Sequence, residues 1–338
     1  MSKVLTISIA AYNVEKYIEN TLKSILIDDI EDLEILVEDD GGTDGTANIV
    51  KQYEKEYPDI VKLIHKENGG YGSTINKSIE LARGKYFKQL DGDDWYNTEN
   101  FKKILMVLRE NDVDIVYSPI IEHKDGKNEE RYIDYFEENI NGIYNIEDII
   151  NKSKDALTMH TLLYKTEVLK KCKLKLLEKC FYTDTQYAMF PIASAKNILI
   201  THLPIYMYRI GLAEQSISVN SHRKHYKEHA RVSMTMVEYY NMHEQNLDSN
   251  LKKYIFNYTK TYVANSIARF YMVVKPSQKC LNEIKEFDNR IMNENLLIYD
   301  AVGKHSKIVR ILRKTKYNFF VYMVLSILKT ISIKKEQK

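Results

Sequence analysis

Four apolar runs open the chain and alternate with stretches whose apolar residues recur every three or four positions. VLTISIAAY (4–12), LEILVED (33–39), VKLIH (61–65) and KYFKQL (85–90) have the length and the β-branched or aromatic content of strands. VEKYIENTLKSIL (14–26) sets Val14, Ile18, Leu22 and Ile25 on one helical face. GTDGTANIVKQYEKEY (42–57) predicts a second helix, with Thr43 or Asp44 as its N-cap. STINKSIELA (73–82) predicts a third, closed by Gly84 as a C-cap glycine. Such alternation predicts a mostly parallel sheet covered on both faces. Ligands of these sheets sit beyond the C-terminal strand ends. Asn13, Asp39–Asp40, Asn68–Gly70 and Asp91–Asp94 all fall there, so four loops converge on one crevice.

The pattern then changes. Residues 114–123 and 125–136 predict a hairpin around Asp125–Gly126. Residues 145–154 predict a short helix, and 198–210 are strand-like on both sides of Pro204. From about 221 the chain reads as helices, as in 222–243 and 251–274. Residues 1–215 are therefore expected to form an α/β domain and 216–338 a helical C-terminal region.

Composition narrows the classes. A net charge of +2 gives no sign of a nucleic-acid partner. Three cysteines without metal spacing fit a reducing, cytoplasmic setting. The N-terminus enters a strand pattern at once, so no signal peptide is expected. No apolar run is long enough for a transmembrane helix. The tail is uneven: no acid stands between Asp300 and Glu336. Lys304, Lys307, Arg310, Arg313, Lys314 and Lys316 precede the apolar stretch FFVYMVLSIL (319–328). This fits a helix lying in an anionic lipid interface, with Phe319, Phe320, Tyr322, Met323 and Leu325 at the acyl boundary. The alternative is a helix packed on the domain with its lysines in water.

The chemistry concentrates in LDGDDW. Asp91, Asp93 and Asp94 crowd the end of the fourth strand, and their repulsion calls for a divalent cation. Hard carboxylate oxygens suit Mg²⁺ or Mn²⁺ bound together with substrate phosphates. The plainer reading is a solvated acidic turn that bends at Gly92. EDDGGTDGT (38–46) repeats the theme: a carboxylate there suits a base edge, or simply a helix N-terminus. Tyr12 suits stacking on a base, or an ordinary core. His160 reads as a core or edge histidine more readily than as an acceptor-site residue. His222, His225 and His229 have helical spacing, and a solvated basic face explains them better than a metal pair.

SIAAYN, EILVEDDGGTDGT, ENGGYGSTINKSIELARGKY and LDGDDW, in that order and at strand ends, resemble the family 2 inverting glycosyltransferases, whose fold is GT-A. The resemblance is strongest over residues 1–110 and continues to about 215. It implies a nucleotide-diphospho-sugar transferase fold, a UDP-sugar donor and Mn²⁺ or Mg²⁺. It implies a donor site of Ala11, Tyr12, Asp40, Asn68, Gly69, Gly70, Asp91, Gly92 and Arg209. Tyr12 and Asp40 would hold uracil, and Arg209 with the following AEQSIS (213–218) would cover the diphosphate. Asp93 would bridge metal and diphosphate, with Asp91 beside it, while Asp94 orients the loop. Asp184 would be the general base, although Thr183 stands where the family pattern has a second acid; a first-turn helix acid is the other reading. Gly42 replaces the serine usual after the paired aspartates. The implied activity is transfer of one sugar to a saccharide or lipid-linked acceptor, in cell-surface polysaccharide synthesis at the inner membrane face. Two rivals stand beside it. A nucleotidyltransferase needs a Gly-rich stretch with Arg and Lys near the first strand end, which SIAAYN lacks. A non-catalytic, membrane-associated nucleotide-sugar-binding protein has no need of an intact Asp93 and Asp184.

Overall fold

The computed structural model describes residues 3–127, 129–211 and 218–336, with side chains described as far as Ile333. The chain divides into two compact units, Met1–Leu212 and Ala213–Lys338. The boundary expected at 215/216 lies outside the described residues, as does most of AEQSIS.

Unit 1 runs β1 (Leu5–Ala11), α1 (Ile18–Ile25), β2 (Leu33–Asp39), α2 (Thr46–Glu56), β3 (Val61–His65), α3 (Tyr71–Leu81), β4 (Tyr86–Asp91), β5 (Trp95–Tyr96) and α4 (Thr98–Glu110). There follow β6 (Ile115–Tyr117), β7 (Ile120–Lys124), β8 (Glu130–Ile133), β9 (Gly142–Asn145), α5 (Ile146–Ile149), β10 (Leu162–Lys165), α6 (Thr166–Lys171), α7 (Asp184–Met189), β11 (Asn197–Ile200) and β12 (Tyr206–Ile210). The strands make an eight-stranded sheet in the order β3-β2-β1-β4-β10-β6-β11-β9 and a smaller one, β5-β12-β7-β8.

The four opening strands are parallel, as the apolar pattern predicts. Every residue of β2 is buried, because helices cover both faces. The register fixes the site. Ala11 pairs with Asp39, Asp39 with His65, and Ala10 with Asp91, so these strand ends lie side by side. The hairpin expected at Asp125–Gly126 is present as β7 and β8, with Gly126 at φ +69°. Its sheet has a consequence for the site: β12 pairs antiparallel with β5, the short strand that follows the DGDD loop.

Three local expectations need correction. The residue capping α2 is Gly45, and Asp44 contributes by accepting the Thr46 N–H at 3.0 Å. Helix α3 ends at Ala82 rather than Gly84. Gly84 is a close-approach glycine instead: a Cβ there would sit 2.3 Å from the Thr6 nitrogen. The 145–154 helix breaks into α5 and a 3-10 turn, Ile150–Lys152.

Unit 2 holds α8 (Val219–His243), α9 (Ser249–Asn265), α10 (Gln278–Glu294), α11 (Leu296–His305), α12 (Lys307–Lys314) and α13 (Phe319–Glu336). A π-helical turn, Ser266–Tyr271, extends α9. His222, His225 and His229 do not form a solvated face, for all three are buried. The His229 ring stacks between Tyr262 (4.0 Å) and Phe270 (3.6 Å), and its Nδ1 lies 2.6 Å from the Ser266 hydroxyl. Arg313 is also not a free tail cation. It makes a two-pronged pair with Asp288 (2.6 and 2.7 Å) and lies over the Tyr299 ring. No described helix is long and apolar enough to cross a membrane.

One buried acid makes the stability of unit 1 depend on pH. Glu38 of β2 accepts the Ser78 hydroxyl at 3.0 Å, and burial pushes its pKa up to about 7. The folded state therefore holds a proton that the unfolded chain releases near 4.5. Its penalty is absent below that pH and grows as pH rises towards 7, reaching up to about 3 kcal/mol. Glu38→Gln is expected to melt higher than wild type at pH 8 and no higher at pH 5. A variant less stable at pH 8 would contradict this.

Candidate active site

The DGDD loop is a rigid bend. The Gly92 N–H donates to the Ala10 carbonyl at 3.0 Å, and the Asp94 N–H donates to the Asp91 carbonyl at 3.1 Å. The Thr21 hydroxyl reaches the carbonyls of Gly92 (3.0 Å) and Asp94 (2.6 Å) from α1. A Cβ at Gly92 would lie 2.9 Å from the Ala10 oxygen, which makes glycine the residue that fits.

Strand β12 clamps the loop from the other side. Asp94 is buried and accepts the Tyr206 hydroxyl (2.7 Å) on one oxygen and the Arg209 N–H (2.7 Å) on the other. Both oxygens are thus engaged in holding the loop, the orienting role expected for Asp94. Arg209 sends its Nε to the Asp93 carbonyl (2.9 Å) and its Nη1 to Asp125 (2.8 Å). Its guanidinium lies between the rings of Tyr17 (4.8 Å) and Trp95 (4.7 Å). Arg209 therefore grips the backbone of the acidic loop.

Charge is poorly offset here. Burial first, and Asp93 second, push the Asp91 pKa up to about 7. Burial raises Asp93 and Asp94 too, and pushes Asp184 up to about 6. Among the described residues no cationic side chain pairs with the carboxylate of Asp91, Asp93 or Asp184. Lys88 of β4 is near, but its amino group is buried and bonded to the carbonyls of Met159 (3.1 Å), His160 (2.6 Å) and Leu162 (3.1 Å). Burial holds its pKa well below the ordinary lysine value. Asp91 accepts the Tyr71 hydroxyl at 2.6 Å, which leaves its other oxygen for a ligand.

His160, which the sequence reads as a core or edge histidine more readily than as an acceptor-site residue, stands half-buried beside the acidic loop. Its ring meets Tyr206 edge-on (4.9 Å) and leans on Tyr208 (4.5 Å). Donor atoms of His160, Asp91 and Asp94 lie within 4.8 Å of one another. Burial pushes its pKa down to about 3, so the ring is neutral and able to ligate a metal. The carboxylate oxygens fit Mn²⁺ or Mg²⁺, whereas an imidazole nitrogen in the same set suits a softer ion than Mg²⁺.

The neighbouring strand ends build a cradle. Ala11 is buried, and its carbonyl takes the Asp40 N–H at 2.9 Å. Tyr12, next in the chain, is 53% exposed, which removes the core reading. Asn13 stands at φ +54° and accepts the Thr43 N–H at 2.8 Å. Asp40 accepts the N–H groups of Gly69 (2.9 Å) and Gly70 (2.8 Å) and is paired with Lys66. Asn68 closes the set by donating to the Asp40 carbonyl at 2.9 Å. Gly42 is explained sterically: a Cβ would lie 2.8 Å from Asp39 Oδ1, which accepts the Gly42 N–H. Gly70, at φ +79°, turns the chain into α3, whose first residue Tyr71 reaches Asp91.

Asp184 is the first residue of α7, with Thr183 at the cap. It is a helix-start acid, as the plainer reading had it. It is also partly buried and close enough to Asp91 and Tyr71 to raise their pKa values. One position combines both characters.

Comparison with known proteins identifies the family. Residues 6–173 match the profile of Glycosyl transferase family 2, a stretch that holds the cradle and the DGDD loop but not Asp184 or Arg209. The chain is 35% identical over 116 residues to the uncharacterized glycosyltransferase EpsJ of Bacillus subtilis (strain 168), covering 34% of this chain and 33% of that one. It is 37% identical over 100 residues to the putative teichuronic acid biosynthesis glycosyltransferase TuaG of the same organism, covering 30% and 40%. The chain thus spans about a third of the length of these curated relatives. Among solved structures, S. aureus TarS 1-349 in complex with UDP-GlcNAc superposes over 99% of this chain and 92% of that chain, with a TM-score of 0.67 at 19% identity. That likeness shows the fold, an α/β GT-A-like architecture followed by helices. By this match, residues 6–173 of the chain form a glycosyl transferase family 2 domain.

Proposed function

We propose that the protein transfers one sugar, with inversion, from a UDP-sugar to a hydroxyl of a saccharide or lipid-linked acceptor. One observation carries this reading: the carboxylates of Asp91 and Asp93, which pair with no cationic side chain among the described residues, stand at the C-terminal end of β4 beside a glycine-lined cradle. A divalent cation would supply the positive charge that arrangement lacks, and the donor's diphosphate would bind through it.

The donor's base stacks on the exposed Tyr12. Its N3–H meets the remaining lone pair of Asp40, three sites of which are already taken. Ala11 and Asn68–Gly70 line the pocket floor, and Gly92 makes the tight bend that presents the acidic loop to the diphosphate. Arg209 fixes the loop's backbone and adds positive charge next to the diphosphate. Asp91 and Asp93 would hold Mn²⁺ or Mg²⁺, with His160 beside them. When bound, the ion offsets charge on the departing diphosphate as a Lewis acid.

In the transfer step the acceptor oxygen forms a bond to the anomeric carbon while the bond to the diphosphate oxygen breaks. The electron pair leaves with UDP, and the acceptor proton passes to Asp184. A carboxylate with a pKa near 6 is ionised at neutral pH yet basic enough for this work. A single displacement inverts the anomeric centre. The proposed setting is synthesis of a cell-surface polysaccharide at the cytoplasmic side of the membrane; TuaG is named for teichuronic acid biosynthesis.

Three experiments test the roles. Asp184→Asn is expected to lower turnover by about 10²-fold or more while UDP binds as in wild type. Wild-type turnover is expected to fall as pH drops through about 6, since protonation removes the base. Loss of UDP binding and turnover together would instead give Asp184 a structural role. Asp93→Ala is expected to lose metal-dependent transfer, with its melting temperature preserved.

Asp40 carries a second expectation. Removing its carboxylate strands two N–H groups and the partly buried Lys66. Asp40→Ala should cost about 2–3 kcal/mol of stability without ligand, read by urea denaturation. It should also narrow the preference for UDP over CDP, whose N3 has no proton. Unchanged stability would contradict the anchoring role, and a wild-type preference for CDP would overturn the uracil assignment.

A further inference from the structure

Helix α13 has two faces, and only one has a partner within unit 2. Tyr322, Ser326 and Ile333 are buried, and the Ser326 hydroxyl donates to the Met272 carbonyl at 2.6 Å. On the opposite side Phe320, Val324, Ile327, Leu328 and Ile331 are 48–71% exposed. At helical spacing these five fall within about 100° of arc, an apolar stripe facing water. This differs from the sequence expectation, which counted Tyr322 among the residues facing lipid.

A groove of about 660 Å³ runs beside the stripe. Ile327 and Ile331 line it with Val273 and Pro276, and Arg223 and Lys275 stand at the same groove. Arg223 donates its Nε to the Val273 carbonyl at 2.8 Å. Lys275 is exposed and has no ion-pair partner among the described residues. An apolar trough with cations beside it is complementary to a molecule with an anionic head and a hydrocarbon chain.

We infer that the outward face of α13, together with this groove, is the surface by which unit 2 docks on an anionic lipid bilayer. The inference deepens the membrane setting within the function proposed above, and it rests on that reading only for its biological purpose. Charge selects the occupant. Residues 301–338 carry ten lysines and arginines against one acid, in a chain with 49 against 47, so the rest is net acidic. Lys304, Lys307, Arg310, Lys314 and Lys316 are exposed, so the tail stays strongly positive even with Arg313 turned inward. A second copy docking on the same face would bring two positive tails together, whereas an anionic lipid surface is attracted to both elements at once. The short helix lies in the interface and does not span it.

Flotation of the full chain with vesicles tests this. Binding is expected on mixed phosphatidylcholine–phosphatidylglycerol vesicles, weaker by at least about 10-fold on phosphatidylcholine alone or in high salt. Phe320→Ser with Leu328→Ser, both exposed, should lose at least about 10-fold in partitioning with an unchanged melting temperature. Lys275→Glu should reduce the salt-sensitive part. A wild type indifferent to anionic vesicles at low salt, or a double variant that binds like wild type, overturns the inference. So does a wild-type dimer that the double variant turns into a monomer, which makes the face a self-association surface. UDP binding is measured on the same samples. If it persists while vesicle binding fails, the membrane inference falls and the donor site stands; if it fails while vesicles bind, the reverse holds.

Discussion

Carboxylates at the end of β4 repel one another in a partly dry pocket, and the surrounding structure is arranged to hold them there. Backbone bonds from Ala10 and hydroxyl bonds from Thr21 fix the bend. The second sheet brings β12 alongside, so that Tyr206 and the Arg209 amide take both oxygens of Asp94. The nearby cations are directed at backbone instead: Lys88 at three carbonyls and the Arg209 Nε at the Asp93 carbonyl. Burial, with Asp93 second, pushes Asp91 up to about 7, and burial pushes Asp184 up to about 6. Such strain is common where a bound ligand supplies the missing charge.

The cradle beside it follows the opposite rule. Asp40 is satisfied by Gly69, Gly70 and Lys66, and its neighbours are satisfied through it. Under the proposed function a flat base would meet a preformed wall, with the exposed Tyr12 to stack on. One side of the crevice is settled in the free protein and the other is not, a division that suits a constant base and a reacting diphosphate.

Much of this was legible in the sequence because it is local. The four opening strands follow from apolar runs, and the register that sets Ala11 beside Asp39 and Ala10 beside Asp91 follows from parallel pairing. What was not legible depends on residues distant in the chain. His160 enters the site because Lys88 anchors its carbonyl from across the sheet. Arg209 grips the acidic loop only because β12 pairs with β5. His222, His225 and His229 have the spacing of a solvated face, yet all three are buried, His222 and His229 against aromatic rings and His225 beside Glu228, near a non-helical residue in α8 and a π-helical turn. Gly84 has the sequence signature of a cap, but tertiary contact with Thr6 decides its role. Arg313 reads as one of six tail cations until Asp288 claims it.

The central claim is that the acidic loop is completed by a divalent ion and a uridine diphosphate together. Calorimetric titration of UDP into the wild-type protein, once with Mn²⁺ and once with EDTA, tests it most directly. The account predicts affinity higher by at least about tenfold with Mn²⁺, a difference of about 1.4 kcal/mol. Equal affinity in the two titrations would contradict it.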